Sequence, residues 1–342
     1  MAIKTLTSSS KLQEIAARMV QPGKGILAAD ESTGTIQKRF DAIGVENTEE
    51  NRRQYRGALF ATKDIGDYIS GVILYEETLA QSYDDGTKFV TALEKNGVLP
   101  GIKVDKSTHS LAGAPGEVIT EGLDGLRKLL DLYRGQGATF TKWRAVINIG
   151  DHIPSRYAID ANAHALARYA ALAQEAGLVP IVEPEVLMDG SHSIDRCYDV
   201  TEMTLYRVFD ELQAQRVMLE GIVLKPNMVI SGKDAANRAS AEEVAERTVT
   251  CFKRTVPAAV PGIAFLSGGQ GDEEATVNLD AINRYAQAYG APWQLTFSYG
   301  RGLQAAPQKA WSGKRENISA AQAAFQERGR ANAAARQGNY AA

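Results

Sequence analysis

The sequence predicts a single (β/α)8 barrel of the TIM type with extra N- and C-terminal helices, on three observations. Eight short, nearly continuous apolar runs recur along the chain, the pattern of strands buried on both faces of a parallel sheet. Longer segments with helical patterning separate them, as an alternating β/α architecture requires. The length of 342 residues holds the ~250 residues typical of such a barrel and leaves a surplus for helices at 9–20 and 303–336. No Ser/Pro/Gly-rich linker or low-complexity stretch interrupts the chain, so residues 1–342 read as one domain. Within it, 1–24 form an N-terminal helical segment and 303–342 form C-terminal helices with a short tail. An open doubly wound sheet fits the same alternation and is the alternative.

In chain order, Ser10-x-x-Gln13 opens the sequence as a capping-box pattern, and the run 25–30 (GILAAD) follows as the first strand. Further runs lie at 68–74 (YISGVIL), 101–104 (GIKV) and 140–148 (FTKWRAVIN). An Ala/Leu-rich helix is predicted over 160–176, stopping at Gly177 as a C-cap. The fifth run is 179–184 (VPIVEP), before a long helical pattern at 195–217. The sixth is 220–227 (EGIVLKPN), and Ser240-x-x-Glu243 marks the next helix start. The seventh, 264–269 (AFLSGG), leads into a helix at 272–289, and the eighth is 293–300 (WQLTFSYG).

Composition excludes several classes. Lys+Arg 38 against Asp+Glu 41 leaves a net charge of −3 without a basic block, so no phosphate-neutralising nucleic-acid face is expected. Mean hydropathy is −0.24, and no apolar run approaches the ~18 residues of a membrane span. The N-terminus lacks the apolar core and cleavage site of a secretory signal. Cys197 and Cys251 are too few for a disulfide scaffold or a Cys-rich zinc site. Reduced thiols packed in helices, and a cytoplasmic location, are therefore expected.

In a barrel the chemistry sits at the C-terminal strand ends, and here those ends carry charge. They present Asp30, Lys103, Lys142 with Arg144, Glu183 with Glu185, Lys225, Ser267, and Ser298 with Arg301. Lys142 and Arg144, and likewise Glu183 and Glu185, are two apart, so within a strand both members of each pair face the same way. Each alone is compatible with a rim salt bridge. Together they are not readily rim decoration, because buried charges are costly unless paired or used.

Lys225 closes the apolar run Gly221-Ile222-Val223-Leu224 and precedes Pro226. Desolvation and the neighbouring Lys142 or Lys103 would favour a neutral amine able to form a Schiff base. A structural lysine paired with Glu183 or Glu185 is the competing reading. Glu183 and Glu185 flank Pro184, and adjacent carboxylates can push their pKa values apart to give one proton donor and one acceptor; counter-charges for the lysines are the alternative, and the two readings are compatible. Asp30 could orient a substrate hydroxyl or cap the turn before Thr33-Gly34.

Ser267-Gly268-Gly269 and Ser298-Tyr299-Gly300-Arg301 end the seventh and eighth runs, where barrels usually bind phosphate. A second phosphate lining could come from Asp30-Glu31-Ser32-Thr33-Gly34-Thr35 with Lys38 and Arg39. A sugar phosphorylated at both ends would then span the mouth.

Other motifs fail. The glycines at 23–28 (GKGILA) precede their strand, so they are no dinucleotide fingerprint. The Gly-Lys pairs lack P-loop spacing. His109, His152, His164 and His192 show no metal-ligand spacing: His164 falls in a predicted helix and the others in predicted loops. Trp143, Trp293 and Trp311 read as packing residues.

GILAADESTGTIQKR, GIKVDK, KWR, VPIVEPE, LKPNM, FLSGGQ and FSYGRGLQ together resemble the strand-end motifs of the class I, Schiff-base fructose-bisphosphate aldolases, in the same order. The resemblance implies reversible cleavage of fructose 1,6-bisphosphate to glycerone phosphate and glyceraldehyde 3-phosphate, in glycolysis or gluconeogenesis. It implies Lys225 as the Schiff-base lysine and Glu183 as the principal acid/base, with Asp30 at the C4 hydroxyl. Lys142, Arg144, Lys103 and Glu185 would surround the sugar. One phosphate would meet Ser267, Gly268, Gly269, Ser298, Gly300 and Arg301, the other Ser32, Thr35, Arg39 and Lys103. Thr35 stands where the family usually has serine, and the hydroxyl is kept.

The family resemblance implies no metal and no cofactor, a phosphosugar as the small-molecule partner, no nucleic-acid or membrane partner, and a homo-oligomer, a tetramer by resemblance. Eukaryotic members carry a C-terminal tail ending in a tyrosine that reaches the active site. Tyr340, followed by Ala341 and Ala342, matches a position before that tail, so the tail is expected to be absent and Tyr340 to lie on the outer side of the barrel. Two rivals stay open on the residues alone: another Schiff-base barrel acting on monophosphates, and a non-catalytic phosphosugar binder.

Overall fold

The computed structural model describes residues 2–341, with side chains from Ser9 onward. Eight parallel strands close into a barrel in sequential order, confirming the predicted architecture over the open sheet. They are β1 (Gly25–Ala29), β2 (Ile69–Leu74), β3 (Leu99–Lys103), β4 (Phe140–Ile147), β5 (Val179–Val186), β6 (Val223–Leu224), β7 (Gly262–Phe265) and β8 (Gln294–Tyr299). All are buried on both faces except for the rim positions Lys103 and Arg144 and the entry residue Gln294, which is why their sequences read as continuous apolar runs.

Two interlocking layers fill the barrel floor. The helix Ala2–Met19 lies across its N-terminal end, and Leu12, Ile15, Ala16 and Met19 pack against Ile26, Ile73, Val179, Ile181 and Val223 from the strands. That i, i+3, i+4, i+7 stripe explains the helix. It also overturns the expected start, since Ser10 lies inside the helix and cannot cap it. Above this floor, the Phe140 ring occupies the space where a side chain on Gly101 would stand.

The helices mostly match expectation in place and differ at their ends. The expected 160–176 helix starts earlier, at Arg156–Glu175, because Ser155 accepts from the Ala158 N–H at 3.1 Å. The next is Ile194–Ala214, capped by Ser193, and Ser240 caps Ala241–Thr255 as predicted. Asp272–Ala288 agrees within a residue. The segment 303–336 is two helices, Arg301–Trp311 and Ile318–Ala335, separated at Ser312 and Gly313, both with left-handed backbone.

Helices Thr33–Asp41 and Glu49–Phe60 follow β1 and were not anticipated. An antiparallel ribbon, Thr108–Ser110 with Val118–Thr120, places His109 on a strand instead of a loop. β6 is only two residues long, because a 3-10 turn precedes it and Pro226 has no N–H to extend the ladder. Cys197 and Cys251 are free and buried in helices, and the three tryptophans pack in the core. Among the described residues no helix is long and apolar enough to cross a membrane.

Arg336 ties the two ends of the chain together. Its guanidinium donates to the carbonyls of Val20 (3.2 Å), Gln21 and Lys24 (2.6 Å) and to Gln294 Oε1 (2.9 Å). Burial pulls its pKa down to about 10. Arg336→Ala removes the donor from all four acceptors, of which the Lys24 carbonyl keeps Thr296 Oγ1 and the Gln21 carbonyl keeps the Lys24 N–H, and a hydrogen bond to a charged group is worth ~1.5–3 kcal/mol net. The expected result is a loss of about 3 kcal/mol, read as a lower melting temperature by calorimetry, with turnover at low temperature unchanged. An unaltered melting curve would show that the clamp is not structural.

Candidate active site

Every site residue expected from the sequence lines one cavity of about 800 Å³ at the C-terminal ends of the strands. β1 delivers Asp30 immediately after its last residue, and β3 ends on Lys103. Lys142 and Arg144 project from β4, and Glu183 and Glu185 from β5, whose register sets Arg144 opposite Glu183. Lys225 follows β6, and its N–H donates to the Val182 carbonyl at 2.8 Å. The Pro226 carbonyl accepts from the Leu266 N–H at 3.2 Å, so the backbone around Lys225 is pinned to both neighbouring strands despite the short ladder.

The charged groups form a continuous chain. Lys225 Nζ lies 3.2 Å from Glu183 Oε1, whose other oxygen is 3.0 Å from Lys142 Nζ. Lys142 Nζ donates to Asp30 Oδ2 at 2.9 Å. All four side chains are buried. Burial alone would raise the Asp30 carboxyl, but Lys142, Lys225 and the Lys142 hydrogen bond outweigh it and hold Asp30 at about 2. Burial likewise opposes ionisation of Glu183, and Lys142, Lys225 and Arg144 overcome it, so its carboxyl titrates below the usual range. Lys142 is disfavoured by burial and held charged by Asp30 and Glu183.

This differs from the expected carboxylate pair. Each of the two has its own cation: Glu185 pairs with Arg144 and Glu183 with the two lysines. For Lys225 the structure shows the pairing with Glu183 that the sequence leaves open beside the neutral-amine reading.

Two anion-suited linings flank the chain. On one side are Ser267, Gly268, Gly269, Gly300 and Arg301, with Arg301 Nη2 held on the Gln270 carbonyl at 2.9 Å. Ser298 Oγ is buried there and makes no hydrogen bond among the described residues. On the other side are Ser32, Thr35, Lys38, Arg39 and Lys103. Ser32 Oγ and Thr35 Oγ1 are 3.1 Å apart, so both hydroxyls of that turn face each other.

The structure adds residues that the sequence reading left out. Asp105 holds Lys103 Nζ at 2.7 Å and accepts from the Arg144 N–H at 3.2 Å. It stands two positions after Lys103, the same spacing that singled out the other pairs. Glu31 was grouped with the phosphate lining, yet it is buried and accepts from Gln304 at 2.6 Å while pairing with Arg39. Asp189 and Lys233 reach the rim from loops without a motif. The histidines stay outside the cavity, and among the described residues no group of three or more His, Cys, Asp and Glu could hold a metal ion. Tyr340 lies on the outer shell as expected, donating to Glu273 at 2.5 Å and, through its N–H, to Asp280.

Residues 11–342 match the family model described as fructose-bisphosphate aldolase class-I. The chain belongs to the class I fructose-bisphosphate aldolase family. It is 56% identical over 334 residues to the probable fructose-bisphosphate aldolase class 1 of Xanthomonas campestris pv. campestris, covering 97% of this chain and 99% of that one. It is 56% identical over 325 residues to the cytosolic fructose-bisphosphate aldolase 4 of Arabidopsis thaliana, covering 95% and 82%. A solved structure of the Plasmodium falciparum aldolase, in complex with TRAP and a small-molecule inhibitor, superposes with a TM-score of 0.95 at 48% identity, covering 98% and 96%. The activity of a class I aldolase is a lyase reaction: reversible aldol cleavage of fructose 1,6-bisphosphate through a lysine Schiff base, without a metal ion.

Proposed function

We propose that Lys225 is the Schiff-base lysine and that Glu183, Lys142 and Asp30 form its proton-handling chain, within one catalytic domain. The observation that carries this is the unbroken buried sequence Lys225–Glu183–Lys142–Asp30 at 3.2, 3.0 and 2.9 Å. Glu183, ionised and in reach, takes a proton from Lys225, whose neutral amine attacks the C2 carbonyl. The carbinolamine loses water as Glu183 returns a proton to the departing hydroxyl. The resulting iminium draws the electrons of the C3–C4 bond as the C4 hydroxyl, held beside Asp30, gives its proton to the Glu183 carboxylate. Glyceraldehyde 3-phosphate leaves, Glu183 returns that proton to C3 of the enamine, and hydrolysis of the iminium frees glycerone phosphate and Lys225. Lys142 stays charged and stabilises oxygen-centred negative charge along this path.

Strand order supports an orientation for the substrate. β7 and β8 follow β6 around the barrel, and β1 comes after them. The C1 phosphate, one carbon from the imine at C2, then meets Ser267, Gly268, Gly269, Ser298, Gly300 and Arg301. The C6 phosphate, four carbons away, meets Ser32, Thr35, Arg39 and Lys103. Arg39→Ala is therefore expected to lower kcat/KM for fructose 1,6-bisphosphate about 10- to 100-fold, the scale of a lost charge-assisted contact, and to leave fructose 1-phosphate cleavage nearly unchanged. Equal losses on both substrates in steady-state assays would contradict this orientation. We further propose a cytoplasmic homotetramer. The cytosolic Arabidopsis relative supports the compartment, the family resemblance supports the assembly, and sizing by light scattering checks the latter.

A further inference from the structure

Lys233 lines the active-site cavity yet holds none of the roles proposed above. Its loop is stitched to the loop after β5 by three backbone hydrogen bonds: Gly232 N–H to His192 O (2.9 Å), Lys233 N–H to Met188 O (2.8 Å) and Asp234 N–H to Gly190 O (3.0 Å). The fit between the loops is close, because a Cβ on Gly232 would strike the Gly190 carbonyl. Met188 in turn fills the space beside Gly269, so both loops are packed against the Ser267–Gly269 turn. This holds the Lys233 backbone rigidly at the rim on that side of the mouth. Its side chain is 47% exposed and pairs with Asp189, which also lines the cavity. Arg301 is close enough for the two cations to repel, so Lys233 and Arg301 converge on the same region.

We propose that Lys233 is a further substrate-binding residue that holds the C1 phosphate of the substrate, supplementing Arg301 and the Ser267–Gly269 turn. The proposal rests on the orientation assigned above, with the C1 phosphate at the β7 and β8 loops. Asp189 keeps the ammonium over the mouth, and a phosphate dianion, carrying more charge than one carboxylate, draws Lys233 away from it. An exposed charge contact in a polar mouth is modest in size, so the effect falls on binding and not on the chemical step.

The test is steady-state kinetics of the intact enzyme with fructose 1,6-bisphosphate and with fructose 1-phosphate. Lys233→Ala is expected to raise KM about fivefold for both substrates, with kcat within about twofold, a loss that shrinks as ionic strength rises. Lys233→Arg should restore KM to within about twofold, and Asp189→Asn should not raise it. A KM rise in Asp189→Asn matching that of Lys233→Ala would show that the pair only shapes the loops, and would overturn the proposal. So would an unchanged KM in Lys233→Ala. Arg301→Ala, run in parallel, separates the two failures. If it raises KM while Lys233→Ala does not, the Lys233 proposal alone is wrong. If neither does, the phosphate assignment beneath it is wrong as well.

Discussion

Lys225→Met is expected to reduce turnover by about 10⁵-fold or more, the scale seen when a covalent nucleophile is removed, while the barrel stays folded. Methionine keeps most of the aliphatic length of lysine, so packing against the strand ends changes little. The ammonium is lost, but Glu183 keeps Lys142 at 3.0 Å and is not left as an unpaired buried charge. Oxyanion-stabilising groups substitute poorly, because without the imine the electrons of the breaking C3–C4 bond must pass to the neutral C2 carbonyl, a much weaker sink than a protonated imine. Cleavage of fructose 1,6-bisphosphate, followed by coupled oxidation of glyceraldehyde 3-phosphate, reads the loss, and circular dichroism checks the fold. Residual turnover within about a hundredfold of the parent would mean that another group carries the covalent step.

The second large effect falls on Lys142, which bridges two buried carboxylates. Lys142→Met should lower kcat by about 10³-fold, within the range for loss of a proton-handling group. It should also destabilise the protein by about 3–5 kcal/mol at neutral pH, as breaking a buried ion pair does. The pH dependence distinguishes this from simple loss of packing. In the parent, Asp30 sits at about 2 against its ordinary 3.8. Its pairing therefore stabilises the fold fully above 3.8 and is lost as pH falls toward 2. Without Lys142, Asp30 loses its ion-pair and hydrogen-bond partner and burial pushes its carboxyl up instead, while Glu183 keeps Lys225 at 3.2 Å, so at Asp30 the folded state binds more protons than the unfolded one. Stability of the variant should then decrease as pH rises from about 4 to 7, where the parent's contribution from Asp30 is constant. Urea unfolding at several pH values measures this, and parallel pH profiles for parent and variant would contradict the bridging role.

Much of the site was legible because strand ends in this fold break long apolar runs with charge. Asp30, Lys103, Lys142, Arg144, Glu183, Glu185 and Lys225 stood out against Ile, Val and Leu, and the two-residue spacing correctly put Lys142 with Arg144, and Glu183 with Glu185, on the cavity face. What could not be read is how the charges pair, since each bond crosses between strands. The Lys225–Glu183 and Lys142–Asp30 contacts join residues distant in sequence. The first is one of the pairings the sequence leaves open for Lys225, and it makes Glu183 a counter-charge to the lysines. Ser10 misled because a capping pattern describes local hydrogen bonding, whereas the helix there is fixed by Leu12, Ile15, Ala16 and Met19 packing across the barrel floor. Lys233 and Asp189 lie in loops without periodicity, and only the backbone stitching between those loops brings them to the mouth.

The Schiff-base assignment is tested most directly by trapping. The enzyme is incubated with glycerone phosphate and sodium borohydride, digested, and mapped by mass spectrometry. Reduction of the imine to a stable secondary amine at Lys225, with stoichiometric loss of activity, is the predicted result. An adduct on Lys142 or Lys103 in place of Lys225, or full activity after borohydride with inactivation by EDTA instead, would contradict it.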